Sequence, residues 1–297
     1  MQMKRFKVIQ QSNEIFEISR DEYEKQTQNS RKHTVRGKDG ELRNFAVCPA
    51  CNNPIQIIGL YKKLENRPYG KHYCRGIELA EYNEQAYLFC PYSYRSHQVT
   101  KDSSKKVLTD YEKSIYYAVR ENFDLAVYII RQDTGIYISE KQARKILEDY
   151  LAASGYMYDW ATLYNIPWML MYFTRAQHCY QMYIRKESSL YHYFLNRNDV
   201  LLEQYHETNY YVVKNKPRTF LNLEYSTILH QRKVEDDEVK ETINLNIFYW
   251  DEKAMPRKTH SIILSINEIR FPNLICNAKY RDERLLNIAR DLMPDLE

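Results

Sequence analysis

The sequence predicts an α+β protein: a cysteine-rich, β-bearing N-terminal module, a central helical region, and a small C-terminal antiparallel sheet closed by a final helix. Three observations carry this prediction. The apolar pattern runs with a helical period from Thr109 to about Tyr211 and switches to a period of two after Pro217. Four of the six cysteines fall between Cys48 and Cys90, the first two as Cys48-Pro49-Ala50-Cys51. Glycine is scarce, 7 of 297 residues, which leaves few positions with easy positive φ and favours regular elements joined by short turns. The expected units are residues 1–105, 106–212 and 213–297, the last packed on the helices.

Taken in order, residues 6–9 and 15–18 are apolar patches readable as strands or as a strand and a turn. Residues 27–44 are polar and basic, with turns marked by Gly37 and Asp39-Gly40. Phe45-Ala46-Val47 runs into Cys48, and Ile55-Gln56-Ile57-Ile58 runs out after Asn52-Asn53-Pro54, giving strand, knuckle, strand. Residues 83–89 read as a short helix and 98–106 as a polar linker.

Residues 111–132 form one expected helix. A second, over 139–153, opens on Ser139-Glu140-Lys141-Gln142, a capping box in which the serine and glutamine side chains satisfy each other's first-turn amides. Ala143, Ile146, Leu147, Tyr150 and Leu151 then share one face. Pro167 suits the first turn of a third helix, expected to reach about residue 184, and a fourth is expected over 190–205. Runs at 220–225, 243–249 and 261–266 read as strands. The acidic residues 235–238 read as an exposed connection, and a closing helix spans 281–292 ahead of Pro294.

Two thiolates separated by two residues converge on one ion only from a tight backbone reversal, so the Cys48/Cys51 pair between two strands reads as a metal knuckle. The second pair of ligands to an expected Zn²⁺ comes from His72, Cys74, Cys90 and His97. The preferred set is Cys48, Cys51, His72 and Cys90, because Gly70-Lys71-His72 permits a sharp approach and Cys90 follows a short helix; Cys74 is the alternative ligand. A Cys₃His or Cys₄ tetrahedron closes the shell and makes the zinc structural. HExxH is missing, as is the HxE with PCxxC of a zinc deaminase. A knuckle between two strands resembles zinc-ribbon and treble-clef modules, although here the last cysteine stands alone rather than in a second compact motif. Clustered cysteines fit a reducing compartment better than a disulfide framework. With no apolar stretch behind the first basic residues to act as a secretory signal, the expected location is cytoplasmic.

Residues 1–110 hold 19 Lys/Arg against 13 Asp/Glu, and the remainder 24 against 26. The positive excess therefore sits on the cysteine-rich module, where an anionic partner would be met. Lys62, Lys63, Arg67, Lys71 and Arg75 are the candidate nucleic-acid contacts. Arg31, Lys32, Arg36, Lys38 and Arg43 are near in sequence, and Tyr61, Tyr69 and Tyr73 are interleaved. Cations neutralise phosphates and aromatic faces stack on unpaired bases; a solvated basic face is the plain alternative. Residues 125–153 resemble a helix-turn-helix, with Lys141, Gln142, Arg144 and Lys145 toward a groove. The turn is long for that motif, and an αα-hairpin fits the same residues. A protein partner is the other expectation, since 17 of the 28 tyrosines lie in residues 111–211 and exposed tyrosine favours interfaces. No apolar run approaches the roughly 18 residues of a membrane span, so no membrane partner is expected.

Catalytic signals are sparse: no Walker loop, GxGxxG or GxSxG occurs. Arg185 and His192, spaced R-x6-H, resemble the Rx4–6H motif of HEPN ribonucleases, and the resemblance implies a helical ribonuclease. Arg67 and His72 meet the same spacing inside the cysteine-rich segment, and Lys186 stands where that family favours a small polar residue. Glu238-Val239-Lys240 after Asp236-Asp237 resembles the E-x-K half of a metal-dependent nuclease but falls in a turn. Arg175, His178 and Cys179 are expected on one side of the third helix. The sequence thus reads as a zinc-stabilised nucleic-acid-binding or adaptor protein without catalysis of its own. The alternatives are a HEPN-like ribonuclease and an interaction subunit docking through tyrosine-rich helices.

Overall fold

A computed structural model of the chain describes residues 3–12, 14–37, 40–61, 67–88, 90–93, 99–219, 222–235, 238–250, 256–277 and 281–296. It combines helices with antiparallel sheets in a mixed α+β fold. No described helix is long and apolar enough to cross a membrane. The chain divides into two units, Met1–Lys105 with Arg232–Lys240, and Lys106–Gln231 with Glu241–Glu297.

In the first unit, β1 (Arg5–Phe6) and β2 (Phe16–Glu17) pair antiparallel within the two apolar patches. Helix α1 (Arg20–Thr27) follows, its first turn capped by the Ser19 hydroxyl, which accepts from the Glu22 amide at 3.2 Å. Neither α1 nor β3 (Thr34–Arg36) carries the apolar periodicity that marks an element in sequence. Tyr23 anchors α1 instead: its buried hydroxyl lies 2.8 Å from the Phe45 carbonyl and 3.2 Å from that of His33. β4 (Leu42–Val47), β5 (Pro54–Ile58) and β6 (Tyr69–His72) complete an antiparallel sheet of order β3-β4-β5-β6.

Side chains alternate across that sheet. Ala46, Ile55 and Ile57 face a core made with Met3, Phe6, Ile18 and Tyr23. Gly70 lies on the same side and donates its amide to the Met3 carbonyl at 2.8 Å. A Cβ at Gly70 would stand 2.9 Å from Ile55 Cδ1 and 3.2 Å from Met3 Sδ, so a larger residue would push these side-chain ends aside. On the opposite face Leu79 and Ala80 cover Phe45 and Val47, leaving Gln56, Ile58 and Tyr69 half-buried and Lys71 exposed. Helix α2 (Glu84–Leu88) precedes Cys90.

The second unit is built on α3 (Asp110–Thr134), α4 (Glu140–Ala152) and α5 (Ile166–Phe173). The capping box at α4 is present: the Ser139 hydroxyl accepts from the Gln142 amide, and Gln142 Oε1 accepts from the Ser139 amide at 2.9 Å. Gly135 ends α3 at φ 72°, and a Cβ there would come 2.5 Å from Ser188 Cβ, so the turn between α3 and α4 requires glycine.

The expected third and fourth helices are both shorter than their sequence pattern suggests. Helix α5 ends at Phe173, where the Thr174 hydroxyl turns back to the Leu170 carbonyl and Asp149 takes the Arg175 amide at 3.0 Å. The chain then forms β7 (Gln177–His178) and β8 (Tyr183–Arg185). Arg175, His178 and Cys179 therefore share no helix face. Arg175 pairs with Asp149 at 3.3 Å, exposed His178 approaches Glu224 at 3.4 Å, and Cys179 is buried. Helix α6 (Ser189–Leu195) stops before the Arg197–Asp199 pair, and Val200 opens β9 (Val200–Gln204). β9 and β8 flank β10 (Tyr210–Asn215) in a sheet of order β8-β10-β9. The expected helical region thus contains β7, β8, β9 and the start of β10, formed because strand partners compete with the local helical preference.

β11 (Leu223–Glu235), β12 (Glu238–Trp250) and β13 (Pro256–Ser265) realise the period-two runs in a sheet of order β13-β12-β11-β7. Phe220, Leu221, Asp236 and Asp237, which the sequence places in these runs and their connection, lie outside the described residues. The E-x-K segment, expected in a turn, instead opens β12, and Lys240 pairs with Glu235 at 3.1 Å. Helices α7 (Arg270–Asn277) and α8 (Glu283–Leu292) close the unit, α8 packing on α3 and α4.

A buried polar network ties the sheet to the segment before α5. Glu241 Oε1 lies 2.8 Å from His230 Nε2 and accepts from Asn165 Nδ2 at 2.7 Å, while Oε2 accepts from the Tyr164 hydroxyl at 2.9 Å. His230 Nδ1 meets the Tyr158 hydroxyl at 3.1 Å, and the rings of Tyr158, Trp160 and Tyr172 pack around the imidazole.

Candidate metal centre

The reversal between β4 and β5 builds the first half of the site. Cys48 donates its amide to the Asn53 carbonyl at 2.8 Å and accepts from the Asn52 amide at 3.0 Å, with Asn52 left-handed at φ 58°. This loop brings Cys48 and Cys51 to one side. The second half arrives on separate elements. His72 ends β6 opposite Ile55 of β5, and Cys90 follows α2.

Two asparagines place α2. Asn53 Nδ2 donates to the Asn83 carbonyl at 3.0 Å, and Asn53 Oδ1 accepts from the Asn83 amide at 2.6 Å. Asn83 Oδ1 in turn caps the helix through the Ala86 amide at 2.9 Å. The helix then lays the Tyr87 ring edgewise on His72, centroids 5.1 Å apart, and the Cys90 amide turns back to the Tyr87 carbonyl at 3.1 Å.

The four ligand atoms of Cys48, Cys51, His72 and Cys90 all lie within 4.8 Å of one another and can hold a metal ion. Cys48 Sγ and Cys90 Sγ are 3.7 Å apart; Cys51 Sγ and His72 Nε2 are 3.3 Å apart. With bonds of about 2.3 Å to sulfur and about 2.0 Å to nitrogen, a tetrahedral site has edges of about 3.8 Å between sulfurs and about 3.5 Å between sulfur and nitrogen. Both measured separations are close to those edges. All six cysteines are free thiols.

The electrostatics point the same way. Burial raises the Cys51 thiol, but its contacts with Cys48, Cys90 and His72 outweigh burial and hold it well below the ordinary thiol range. Burial lowers His72, but the neighbouring Cys48 and Cys51 sulfurs outweigh it and raise the imidazole to about 11. Burial and the adjoining sulfurs push Cys90 well above its usual range. The cluster thus sets an imidazole nitrogen against buried sulfurs, groups that give up protons when they bind a cation.

Groups around the knuckle hold it in place. Lys7, itself buried, donates to Asn52 Oδ1 at 2.8 Å, Asn53 Nδ2 approaches Cys51 Sγ at 3.4 Å, and Arg232 Nη1 donates to the Ala50 carbonyl at 3.1 Å. Sequence reasoning finds none of these supports. Asn83 alone had a local signal, an asparagine at the start of a short helix; Lys7 and Arg232 come from remote parts of the chain.

Of the other candidate residues, Cys74 is exposed and stands apart from the cluster, and His97 lies outside the described residues. Lys71 is exposed on β6, and Arg67 and Arg75 are exposed in the segments flanking it. Lys62, Lys63 and Lys38 lie outside the described residues. Lys32 pairs with Glu78 at 3.1 Å. On α4, Gln142 serves the capping box and Arg144 reaches Asp291 at 3.3 Å.

The structure gives Arg185 and His192 separate settings. Arg185 donates through Nη1 to Gln132 Oε1 at 2.9 Å and through Nη2 to the Gln132 carbonyl at 3.0 Å, tying β8 to the last turn of α3. His192, on α6, is 55% exposed and lies 3.5 Å from Glu187. No protein-family model matches this chain, and comparison with curated proteins and with solved structures also returns no match.

Proposed function

We propose that the protein is a nucleic-acid-binding protein whose N-terminal module, zinc-ribbon- or treble-clef-like, is held by a structural Zn²⁺ on Cys48, Cys51, His72 and Cys90. The observation that carries the metal is the convergence of three sulfurs and one imidazole nitrogen within 4.8 Å, a soft donor set suited to zinc. Four protein ligands leave no position for water, so the ion stabilises rather than catalyses. The nucleic-acid reading rests on the positive excess of residues 1–110, 19 Lys/Arg against 13 Asp/Glu.

Phosphate neutralisation releases counterions, so binding by such a module weakens as salt rises. Three phosphate contacts imply a loss of about 20- to 40-fold between 50 and 200 mM salt. Anisotropy of labelled oligonucleotides with the full chain tests this. Reversing Lys62, Lys63 and Lys71 together should weaken binding and flatten the salt slope with the metal still in place. Arg185→Ala and His192→Ala should leave it unchanged. Binding indifferent to salt and to the triple reversal refutes the reading.

A specific observation supports a second reading, docking of a protein partner on the other unit. Tyr137 and Tyr205 are 42% and 41% exposed, and Tyr183 links them, its ring centroid 6.4 Å from Tyr137 and 4.9 Å from Tyr205. Such a contiguous aromatic surface is common at interface centres. Co-purification of a protein, lost with Tyr137→Ala and Tyr205→Ala, would favour it.

A further inference from the structure

We infer that the face of the β4-β5-β6 sheet bearing Tyr69 and Lys71 is the nucleic-acid surface and that it takes unpaired strands, Tyr69 stacking on a base while Lys71 meets phosphate. This inference rests on the nucleic-acid reading above and adds to it a place and a substrate class.

The register builds the surface. Phe45, Gln56 and Lys71 stand in one cross-strand row, and Ile58 and Tyr69 in the next. Arg43, two residues before Phe45, shares that face by alternation. The other face is filled by the core around Ile55 and Ile57, and among the described residues Leu79 and Ala80, with Tyr73 and Ile77 packed against them, cover the Phe45–Val47 end of this one. A half-buried tyrosine, a half-buried glutamine and an exposed lysine are thus left side by side, Tyr69 and Lys71 about 7 Å apart along the strand.

Charge selects the occupant. The four strands read Thr-Val-Arg, Leu-Arg-Asn-Phe-Ala-Val, Pro-Ile-Gln-Ile-Ile and Tyr-Gly-Lys-His, without one acidic residue. The exposed Arg67 and Arg75 extend the positive line at either end of β6. A cationic surface bearing an aromatic ring and a side-chain amide matches a chain of phosphates with accessible base faces and edges. In a duplex those base faces are already stacked, so Tyr69 gains nothing there. The metal centre adds rigidity: His72 is a ligand and the next residue after Lys71, so the ion fixes the strand that presents Tyr69 and Lys71.

The test compares labelled oligo(U), oligo(dT) and a blunt duplex of equal length by anisotropy with the full chain at low salt, melting temperature and metal content serving as fold controls. At least one single strand should bind tenfold or more tighter than the duplex, and the preference between the two identifies the sugar. Tyr69→Ala should lose about tenfold or more and Tyr69→Phe should bind as the parent does. Lys71→Glu should weaken binding and reduce the salt slope by about one; as an exposed residue, it keeps the test open if Tyr69→Ala loses metal. Equal or tighter duplex binding overturns the inference while the nucleic-acid reading stands. So does single-strand binding unchanged in both Tyr69→Ala and Lys71→Glu. If no probe binds, the inference and the reading beneath it fall together.

Discussion

Cys48→Ser should unfold the metal-bearing part of the N-terminal unit and empty it of zinc. Structural zinc contributes about 10–16 kcal/mol of apparent folding free energy in small modules, as much as or more than the roughly 5–15 kcal/mol by which a whole domain is stable. Cys48 is fully buried and 3.7 Å from Cys90, so the serine hydroxyl stands in a shell of sulfurs without the charge that binds the ion. Limited proteolysis with mass spectrometry should show new cleavage between residues 45 and 93, while α3, α4 and α8 stay protected. Cys74→Ser is the control, because Cys74 is exposed and outside the cluster; it should keep both metal and protease resistance. A Cys48→Ser protein as resistant as its parent would contradict the structural role.

Glu241→Ala should be the most damaging single change in the second unit. Glu241 and His230 have side chains only 3% and 0% exposed, and the carboxylate also takes hydrogen bonds from Asn165 and Tyr164. Removing it takes a buried acceptor from His230, Asn165 and Tyr164, and a buried polar group left unsatisfied costs about 1–3 kcal/mol; with His230 and Asn165 keeping Tyr158 and the Trp160 carbonyl, the total is about 3–5 kcal/mol. For a unit of this size that corresponds to a fall of roughly 6–20 °C in Tm. Glu241→Gln keeps the shape and one acceptor oxygen and should cost less. A calorimetric transition of the second unit within a degree of the parent in Glu241→Ala would show that the network contributes nothing.

The candidate metal cluster was legible because its signal is local. A Cys-x-x-Cys between two strand-like runs dictates a reversal, and the four preferred ligands are the four that converge. What holds them was not legible, since Lys7 and Arg232 reach the knuckle across 45 and 182 residues of sequence. The capped helix at Ser139 was readable for the same reason as the knuckle: its start signal and apolar face lie within one short segment. Helix α5 was misjudged in length because residues 166–173 are all buried, so no polar face marks where the helix gives out. The chain ends it through Asp149, a residue of another helix. Strands β8 and β9 escaped notice because their apolar residues fit a helical period equally well, and their pairing with β10 decides the matter. The shared sheet face was hidden in the same way: Arg43, Gln56, Tyr69 and Lys71 are scattered in sequence and meet only through strand register.

The central claim is that zinc builds the N-terminal unit, and metal content tests it most directly. Elemental analysis of the full chain, purified untagged and without chelator, should find one zinc per chain, retained through dialysis and lost in Cys48→Ser. Protein that is folded, monodisperse and free of stoichiometric metal would contradict it.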